Sequence, residues 1–339
     1  MKTAFVTGST GLLGNNLVRL LLERGYHVRA LVRDTGKAFA QFNGLPLDRL
    51  QIVSGNMKDS GTFTEELQGT DVLFHTAAFF RDTYKGGNHS KELHETNVLG
   101  TERLMEAAFT AGIRNMVHIS SVAVLGDNPK GLVTEEHLQK NPGQVDEYYR
   151  SKIETDASVY RFLKSHSDMK ITLVLPGWMH GPGDRGPTSA GQFVLDYMNN
   201  KLPGMPDAAL SFVDARDVAA VSLAAAERGQ SGQRYLAAPH PMKMRDLCQA
   251  MEHVSGKKAP TRSIPSWFLF GIAGAQEVYA RITGRPVLLS LAAVRVMASD
   301  YGREFSSEKV RREFGLTFRS VDETLTDELG WFRKNGYLP

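Results

Sequence analysis

The sequence predicts an α/β fold, a doubly wound parallel sheet followed by a smaller C-terminal region, and three observations carry that prediction. Up to His180, short β-branched runs alternate with longer segments of helical period, the pattern of successive βαβ units. A glycine-spaced turn, Gly8-Ser-Thr-Gly11-Leu-Leu-Gly14, follows the first run and opens the first helix. After Pro176 the alternation breaks on Gly181-Pro-Gly183, Gly186-Pro187 and Leu202-Pro-Gly-Met-Pro206.

Strands are expected from Thr3 to Thr7, His27 to Val32, Gln51 to Ser54, Val72 to Thr76, Met116 to Ser120 and Ile171 to Leu175, each rich in β-branched or apolar residues. Between the first two, Leu12, Leu13, Leu17, Leu20 and Leu21 recur at helical spacing and Gly25 ends the helix, as a crossover between parallel strands requires. The segments His94 to Ala111 and Val145 to Ser165 read as further crossover helices. Ser211 to Arg228 reads as one more strand and helix, so the chain is expected to return once to the first domain. That domain is expected over 1–176, rejoined by 211–238, with 177–210 and 239–339 forming the smaller, substrate-binding region. No internal repeat or low-complexity tract interrupts this order.

The chain has 339 residues, 42% apolar and 23% charged, enough to bury a full core. Its 40 Lys and Arg against 37 Asp and Glu leave a charge of +3 with no basic run, so no nucleic-acid partner is expected. The single Cys248 excludes an intramolecular disulfide. Neither His-Glu-x-x-His nor Cys-x-x-Cys occurs, so no metal site is expected. A reduced, cytoplasmic compartment fits this usage, and no signal peptide is expected ahead of Lys2-Thr-Ala-Phe-Val-Thr7. The apolar stretch Trp267-Phe-Leu-Phe-Gly-Ile-Ala-Gly274 falls far short of the roughly 20 residues that a spanning helix needs. A packed helix, a lid over an apolar substrate and a membrane-surface contact all remain open for it.

In the turn after the first strand each glycine has a separate task. Gly8 permits the tight turn, Gly11 lets backbone N–H groups approach a pyrophosphate, and Gly14 lets helix pack close to strand. The helix N-terminus adds partial positive charge. With Thr10 in the same loop, this reads as a dinucleotide cradle, a tight βα turn without a ligand being the plain alternative, and the first domain is expected to be of the Rossmann type. Sites that prefer NAD carry Asp or Glu near the end of the second strand to bind the ribose 2′-hydroxyl. Here that position is Val32, and Arg33 beside it suits a 2′-phosphate. The expected cofactor is NADP(H). Asp34 keeps NAD(H) open, and a solvated strand-end charge is the plain alternative for Arg33.

Residues four apart on a helix share a face, so Tyr148 and Lys152 project together while Tyr149 is rotated by ~100°. An ammonium beside a phenol lowers its pKa toward neutrality and makes it a usable proton donor to a carbonyl. Alone, Tyr-x-x-x-Lys is as well explained by a packing tyrosine beside a surface lysine. It gains weight from Met116-Val-His-Ile-Ser-Ser-Val-Ala-Val-Leu-Gly126, a strand ending in two serines where the carboxyl edge of a parallel sheet faces the ligand crevice. A hydroxyl there can bond the same substrate oxygen as Tyr148.

Taken in order, Gly8-x-x-Gly11-x-x-Gly14, His75-Thr-Ala-Ala78, Asn97-Val-Leu-Gly-Thr101, Ser120-Ser121, Tyr148-x-x-x-Lys152, Pro176-x-x-x-x-Gly-Pro182 and Trp331-Phe-Arg-Lys-Asn-Gly-Tyr337 span nearly the whole chain. With these marks it resembles an extended short-chain dehydrogenase/reductase. Within that superfamily it is similar to the dihydroflavonol-reductase-like and NAD-dependent epimerase/dehydratase proteins. The resemblance implies that Tyr148 is the general acid/base and that Lys152 both lowers the tyrosine pKa and holds the nicotinamide ribose. It implies that Ser121, five residues ahead of Gly126, touches substrate, with Ser120 secondary. Leu12 and Leu13 would meet the pyrophosphate through backbone amides, Ala77, Ala78 and Pro176 would line the cofactor, and Asn97 would brace the crevice near the nicotinamide. Where the family has Gly-Asp-hydrophobic after the third strand, this chain has Gly55-Asn56-Met57; asparagine can still accept the adenine amino hydrogen bond. A homodimer through the helices that carry Asn97 and Tyr148 is implied as well.

Four readings compete, three of them reactions that share the same machinery. Dehydratases of this kind carry an Asp-Glu pair just after the catalytic serine or threonine, and Val122-Ala123 stand there instead. Sugar-nucleotide epimerases commonly hold the substrate diphosphate with an asparagine ahead of the glycine near the end of the sixth strand, where this chain has Gly177-Trp178. Trp178 suits stacking on an apolar substrate, with a core position as its plain alternative. Arg262, Arg281 and Arg285 can serve phosphates, though surface charge describes them equally. A cofactor sensor without chemistry would have lost Tyr148 and Lys152. The expected activity is an NADPH-dependent carbonyl reductase acting on a small or medium apolar ketone or aldehyde, with an NAD(P)-dependent sugar-nucleotide epimerase as the alternative and a non-catalytic NADP sensor behind it.

Overall fold

The computed structural model describes residues 1–80, 89–140, 147–283, 291, 294 and 303–339. Strands β1 (Thr3–Thr7), β2 (His27–Val32), β3 (Leu50–Ser54), β4 (Val72–His75), β5 (Asn115–Ile119) and β6 (Lys170–Pro176) fall within a residue of the expected spans. They join a later strand, described below, in a seven-stranded sheet. Helix α1 (Leu12–Glu23) buries Leu13, Leu17, Val18 and Leu21 against that sheet, and Gly25, at φ +80°, lets the chain reverse into β2. Full burial of one such leucine is worth about 1.5–3 kcal/mol, so this stripe fixes the helix far more firmly than its intrinsic propensity does. Short helix α2 (Thr35–Gln41) follows β2.

The crossover from β4 to β5 is one helical run with a defect inside it. It comprises α3 (Ser90–Leu93), a π-helical turn (His94–Leu99) and α4 (Gly100–Thr110). Helix α5 (Glu147–Ser165) crosses from β5 to β6; Val145, where it was expected to begin, lies outside the described residues.

Beyond β6 come β7 (Trp178–His180), α6 (Ser189–Met198), β8 (Met205–Pro206), β9 (Ala209–Asp214), α7 (Ala215–Arg228) and β10 (Arg234–Ala237). The main sheet runs β10-β6-β5-β4-β1-β2-β3, parallel at every pairing. The order reverses between β1 and β4, which opens a crevice beyond their carboxyl ends. One face of the sheet carries a cluster with Ala4, Val6, Phe74, Val117 and Val174 packed under α1 and α7. The other carries Phe5, Leu73, Met116 and Leu173, packed against Phe162 of α5 and residues of α4.

The smaller layer contains β11 (His240–Lys243), α8 (Met244–Ser255), β12 (Ser263–Ile264) and α9 (Ser266–Thr283). Strands β11, β9 and β7 form a three-stranded sheet, and β12 pairs with β8. Its core gathers Phe212, Leu247, Met251, Leu325 and Phe332. Within 211–238, β9 therefore belongs to the small sheet, while α7 packs on α1 and β10 adds the edge strand of the main sheet. Helix Glu308–Phe314 lies against α7 and β10 with Val310 and Phe314 in the main-sheet cluster.

The stretch Trp267 to Gly274 forms the start of α9, with Leu269 and Ala273 buried and Trp267 and Phe268 exposed. No helix among the described residues is long and apolar enough to cross a membrane.

Candidate active site

At the crevice, the glycine loop is shaped by contacts that exclude side chains. Gly8 sits at φ +65°, and a Cβ there would lie 2.7 Å from the Ala77 amide nitrogen. A Cβ on Gly14 would lie 2.2 Å from the Gly8 carbonyl oxygen. Loop and helix are thus in backbone contact, which only glycine allows. Ser9 Oγ donates to the Leu31 carbonyl at 2.8 Å and ties the loop to β2. Gly11 caps α1 without a side-chain bond, and the first turn holds no acid, so the leading N–H groups, those of Leu12 and Leu13 among them, are left for an external anion. Half-buried Thr10 completes the loop. These residues fit a dinucleotide pyrophosphate.

At the end of β2 the two candidate ribose groups differ in occupation. Asp34 is the N-cap of α2: its Oδ1 accepts from the Lys37 N–H at 3.0 Å, and that bond holds the carboxyl below its usual range. Arg33 is exposed beside it. Asn56 is exposed, with its Oδ1 accepting from the Lys58 N–H at 3.1 Å, and Met57 is buried. Ala77 is half-buried and Ala78 exposed along the β4 loop, and Pro176 is buried at the end of β6.

Tyr148 and Lys152 share a face of α5, one turn apart. Tyr149 is buried at 5% exposure, whereas Tyr148 is half-buried with its ring edge against Phe80, centroids 4.8 Å apart. Lys152 is 4% exposed, and its Nζ donates to the Ile119 carbonyl at 3.1 Å. Burial lowers the ammonium's pKa to about 8, with Asp156 pulling the other way. Ser121 follows β5, and its Oγ accepts from the Ala123 N–H at 3.1 Å, while Ser120 is buried. Asn97 lies in the π-helical turn, a defect that recurs at functional sites. Its Oδ1 accepts from the Phe79 N–H at 2.7 Å and its Nδ2 reaches Ser151 Oγ at 3.2 Å, linking the β4 loop to α5. Trp178 is half-buried, with its Nε1–H on Ser189 Oγ at 3.1 Å and its ring against His180 and Phe193. Exposed Arg262 precedes β12; the side chain of Arg281 is not described, and Arg285 lies outside the described residues.

The family model for the NAD dependent epimerase/dehydratase family matches residues 4–238. The chain belongs to that family. The match covers the whole main sheet together with the loop and the Tyr148–Lys152 helix, and the family binds nicotinamide cofactors. The chain is similar to sterol demethylase protein B of Methylococcus capsulatus, 34% identical over 99% of this chain and 100% of the relative. It is likewise similar to a putative dihydroflavonol 4-reductase of Synechocystis, 32% identical over 98% of this chain and 95% of that one. The solved structure of gox2253 superposes with a TM-score of 0.83 at 28% identity, covering both chains completely. The protein is therefore an NAD(P)-dependent member of the extended short-chain dehydrogenase/reductase type.

Four charged or titratable residues near the site escaped the sequence reading as functional groups: His75, His118, Asp156 and Arg234. His75 Nδ1 is 2.8 Å from Thr7 Oγ1, and its Nε2 is 2.9 Å from Thr101 Oγ1. Because Thr101 donates its own proton to the Asn97 carbonyl at 2.6 Å, Nε2 must carry the hydrogen and Nδ1 must accept. His75 is thus a neutral, oriented strut between the loop and the π-helical turn, its pKa lowered by burial to about 3. Spacing offered a signal for Asp156, which stands to Lys152 as Lys152 stands to Tyr148.

Proposed function

We propose that the protein is an NADPH-dependent reductase that transfers hydride to the carbonyl carbon of a small or medium apolar ketone or aldehyde. The observation that carries the reading is the seat of Lys152, a buried ammonium on the Ile119 carbonyl one turn from half-buried Tyr148. The cofactor, when bound, supplies the hydride. Tyr148 hands its proton to the carbonyl oxygen, and the Lys152 charge lowers the cost of the phenolate left behind. Ser121 already accepts from Ala123, so its own hydroxyl proton is left to donate to the same oxygen. Asn97 keeps the β4 loop and α5 in register.

NADPH is preferred in this reading because the Asp34 carboxylate is engaged as a helix cap, while Arg33 offers a planar donor to a 2′-phosphate. Trp178 spends its only N–H on Ser189 and so presents apolar surface, which supports an apolar substrate. The relative named as a reductase supports net reduction. A homodimer and a cytoplasmic setting belong to the same proposal.

The test is cofactor consumption by purified protein, with NADPH or NADH, across a panel of aldehydes, ketones and sugar nucleotides. Faster consumption of NADPH on an apolar carbonyl compound is expected. Interconversion of a sugar nucleotide without net consumption would overturn the reductase in favour of an epimerase.

A further inference from the structure

Behind Lys152, the main sheet carries a row in register that is polar except at Leu173. Thr7 pairs with His75, His75 with His118, His118 with Leu173, and Leu173 with Arg234, so all five project to the face on which α5 packs. Helix α5 meets this row with Lys152 and, one turn later, Asp156, each 4% exposed. The Asp156 carboxylate stands 3.7 Å from His118 Nε2 and 3.8 Å from Arg234 Nε. Both separations exceed a direct hydrogen bond, and of the two only Arg234 carries a charge, so it acts on the carboxylate through its field.

The groups around Asp156 come from every neighbouring element. His75 on β4 is neutral. His118 on β5 is held neutral by burial, with His75 and Lys152 adding to that effect. Ser120 follows it. Arg234 on β10 brings a guanidinium that also lies 4.5 Å over the Tyr160 ring of α5. Lys152 supplies the second cation. Asp156 is thus a buried carboxylate with a partly buried guanidinium, Arg234, on one side and, one helical turn back, the buried ammonium of the Tyr148–Lys152 pair.

We propose that Asp156 is a positioning residue: anchored by Arg234, its carboxylate keeps the Lys152 ammonium charged in its buried seat and so sets the pH range over which Tyr148 works. The proposal deepens the function given above and rests on the roles assigned there to Tyr148 and Lys152. Burial raises the Asp156 pKa to about 6, tempered by Ser120, Arg234 and Lys152. Burial lowers the Lys152 pKa to about 8, opposed by Asp156. Between those values both groups are charged. Removing the carboxylate weakens the hold of Lys152 on its proton and closes the range from the alkaline side.

The test reads Lys152 directly, by a ¹³Cε-lysine NMR titration of the full chain, with Lys152→Arg identifying the resonance. Wild type is expected to titrate near pH 8. Asp156→Asn should lower that inflection by about one unit, a roughly tenfold loss of proton affinity, and Asp156→Glu should restore it. The alkaline limb of kcat/KM for carbonyl reduction should shift in the same direction. Where the asparagine variant does not fold, Asp156→Ser, equally neutral and smaller, takes its place. An unmoved Lys152 inflection in a folded neutral variant would overturn the proposal, even if the rate fell uniformly at every pH. A wild type that reduces no carbonyl compound would count against the proposed reaction, while the NMR titration would still decide the role of Asp156.

Discussion

Lys152 Nζ donates to the Ile119 carbonyl oxygen at 3.1 Å, which fixes a buried ammonium at the carboxyl end of β5, one helical turn from Tyr148. Water is largely excluded there, so the charge acts on the phenol with less screening than it would at the surface. The same turn places Tyr149 in the core, and the two adjacent tyrosines are thereby separated in role.

Tyr148→Phe should lower turnover by a factor on the order of 100 or more, the scale of a lost general acid, while NADPH binding stays close to wild type. Tyr149→Phe should leave turnover nearly unchanged and act only on stability. Lys152→Ala should lower turnover and also weaken NADPH binding. Steady-state kinetics with fluorescence titration separate the three, and an active phenylalanine variant at 148 would remove the tyrosine from the mechanism.

Arg33→Ala should weaken NADPH by the loss of a charged hydrogen bond, about 1.5–3 kcal/mol or roughly tenfold or more, with little change for NADH. Asp34→Ala should instead cost about 1 kcal/mol of stability as a lost N-cap and leave the NADPH-to-NADH ratio alone. Binding titrations with both cofactors check the pair. A ratio that moves with Asp34 rather than Arg33 would reverse the cofactor assignment.

Gly14→Ala puts a methyl group 2.2 Å from the Gly8 carbonyl oxygen, so the loop must open. The expected result is a folded protein that binds NADPH roughly tenfold more weakly or worse, the scale of one or two charged hydrogen bonds. Circular dichroism and a cofactor titration measure both halves of that statement.

Acid sensitivity should trace to the buried histidines. The folded pKa of His75 is depressed from 6.5 to about 3, so the unfolded chain binds the proton more tightly between those values. The contribution of His75 is then fully present above about 6.5 and is lost as pH falls toward 3. Asp156, raised from 3.8 to about 6, runs the other way: its contribution is fully present below 3.8 and is lost as pH rises through 6. Urea midpoints followed from neutral to acid pH should fall for wild type and fall less steeply for His75→Gln, although the variant is weaker at neutral pH. Equal slopes would show that His75 is not the group that titrates.

The glycine loop, the strands and the Tyr148–Lys152 face were legible because each is encoded over a few residues by local spacing and composition, the last gaining its weight from the serines that follow β5. The family assignment followed from the same short motifs. Other features depend on contacts that local sequence does not carry. The π-helical turn around Asn97 is set by what the helix packs against. The neutral strut at His75 needs Thr7 and Thr101, which arrive from β1 and α4. The row through His118 and Arg234 exists only once the parallel register is fixed. Asp34 as a helix cap was readable in principle, since aspartate is among the preferred residues just before a helix, yet its place after β2 equally suits a ribose contact.

The most direct test of net carbonyl reduction is transfer of label from NADPH deuterated at the transferring position of the nicotinamide, read by mass spectrometry of the product and run alongside Tyr148→Phe. The account predicts an alcohol carrying one deuterium for each cofactor consumed, formed by wild type and nearly abolished in the variant. Product without deuterium, or turnover of a sugar nucleotide with the cofactor unconsumed, would contradict it.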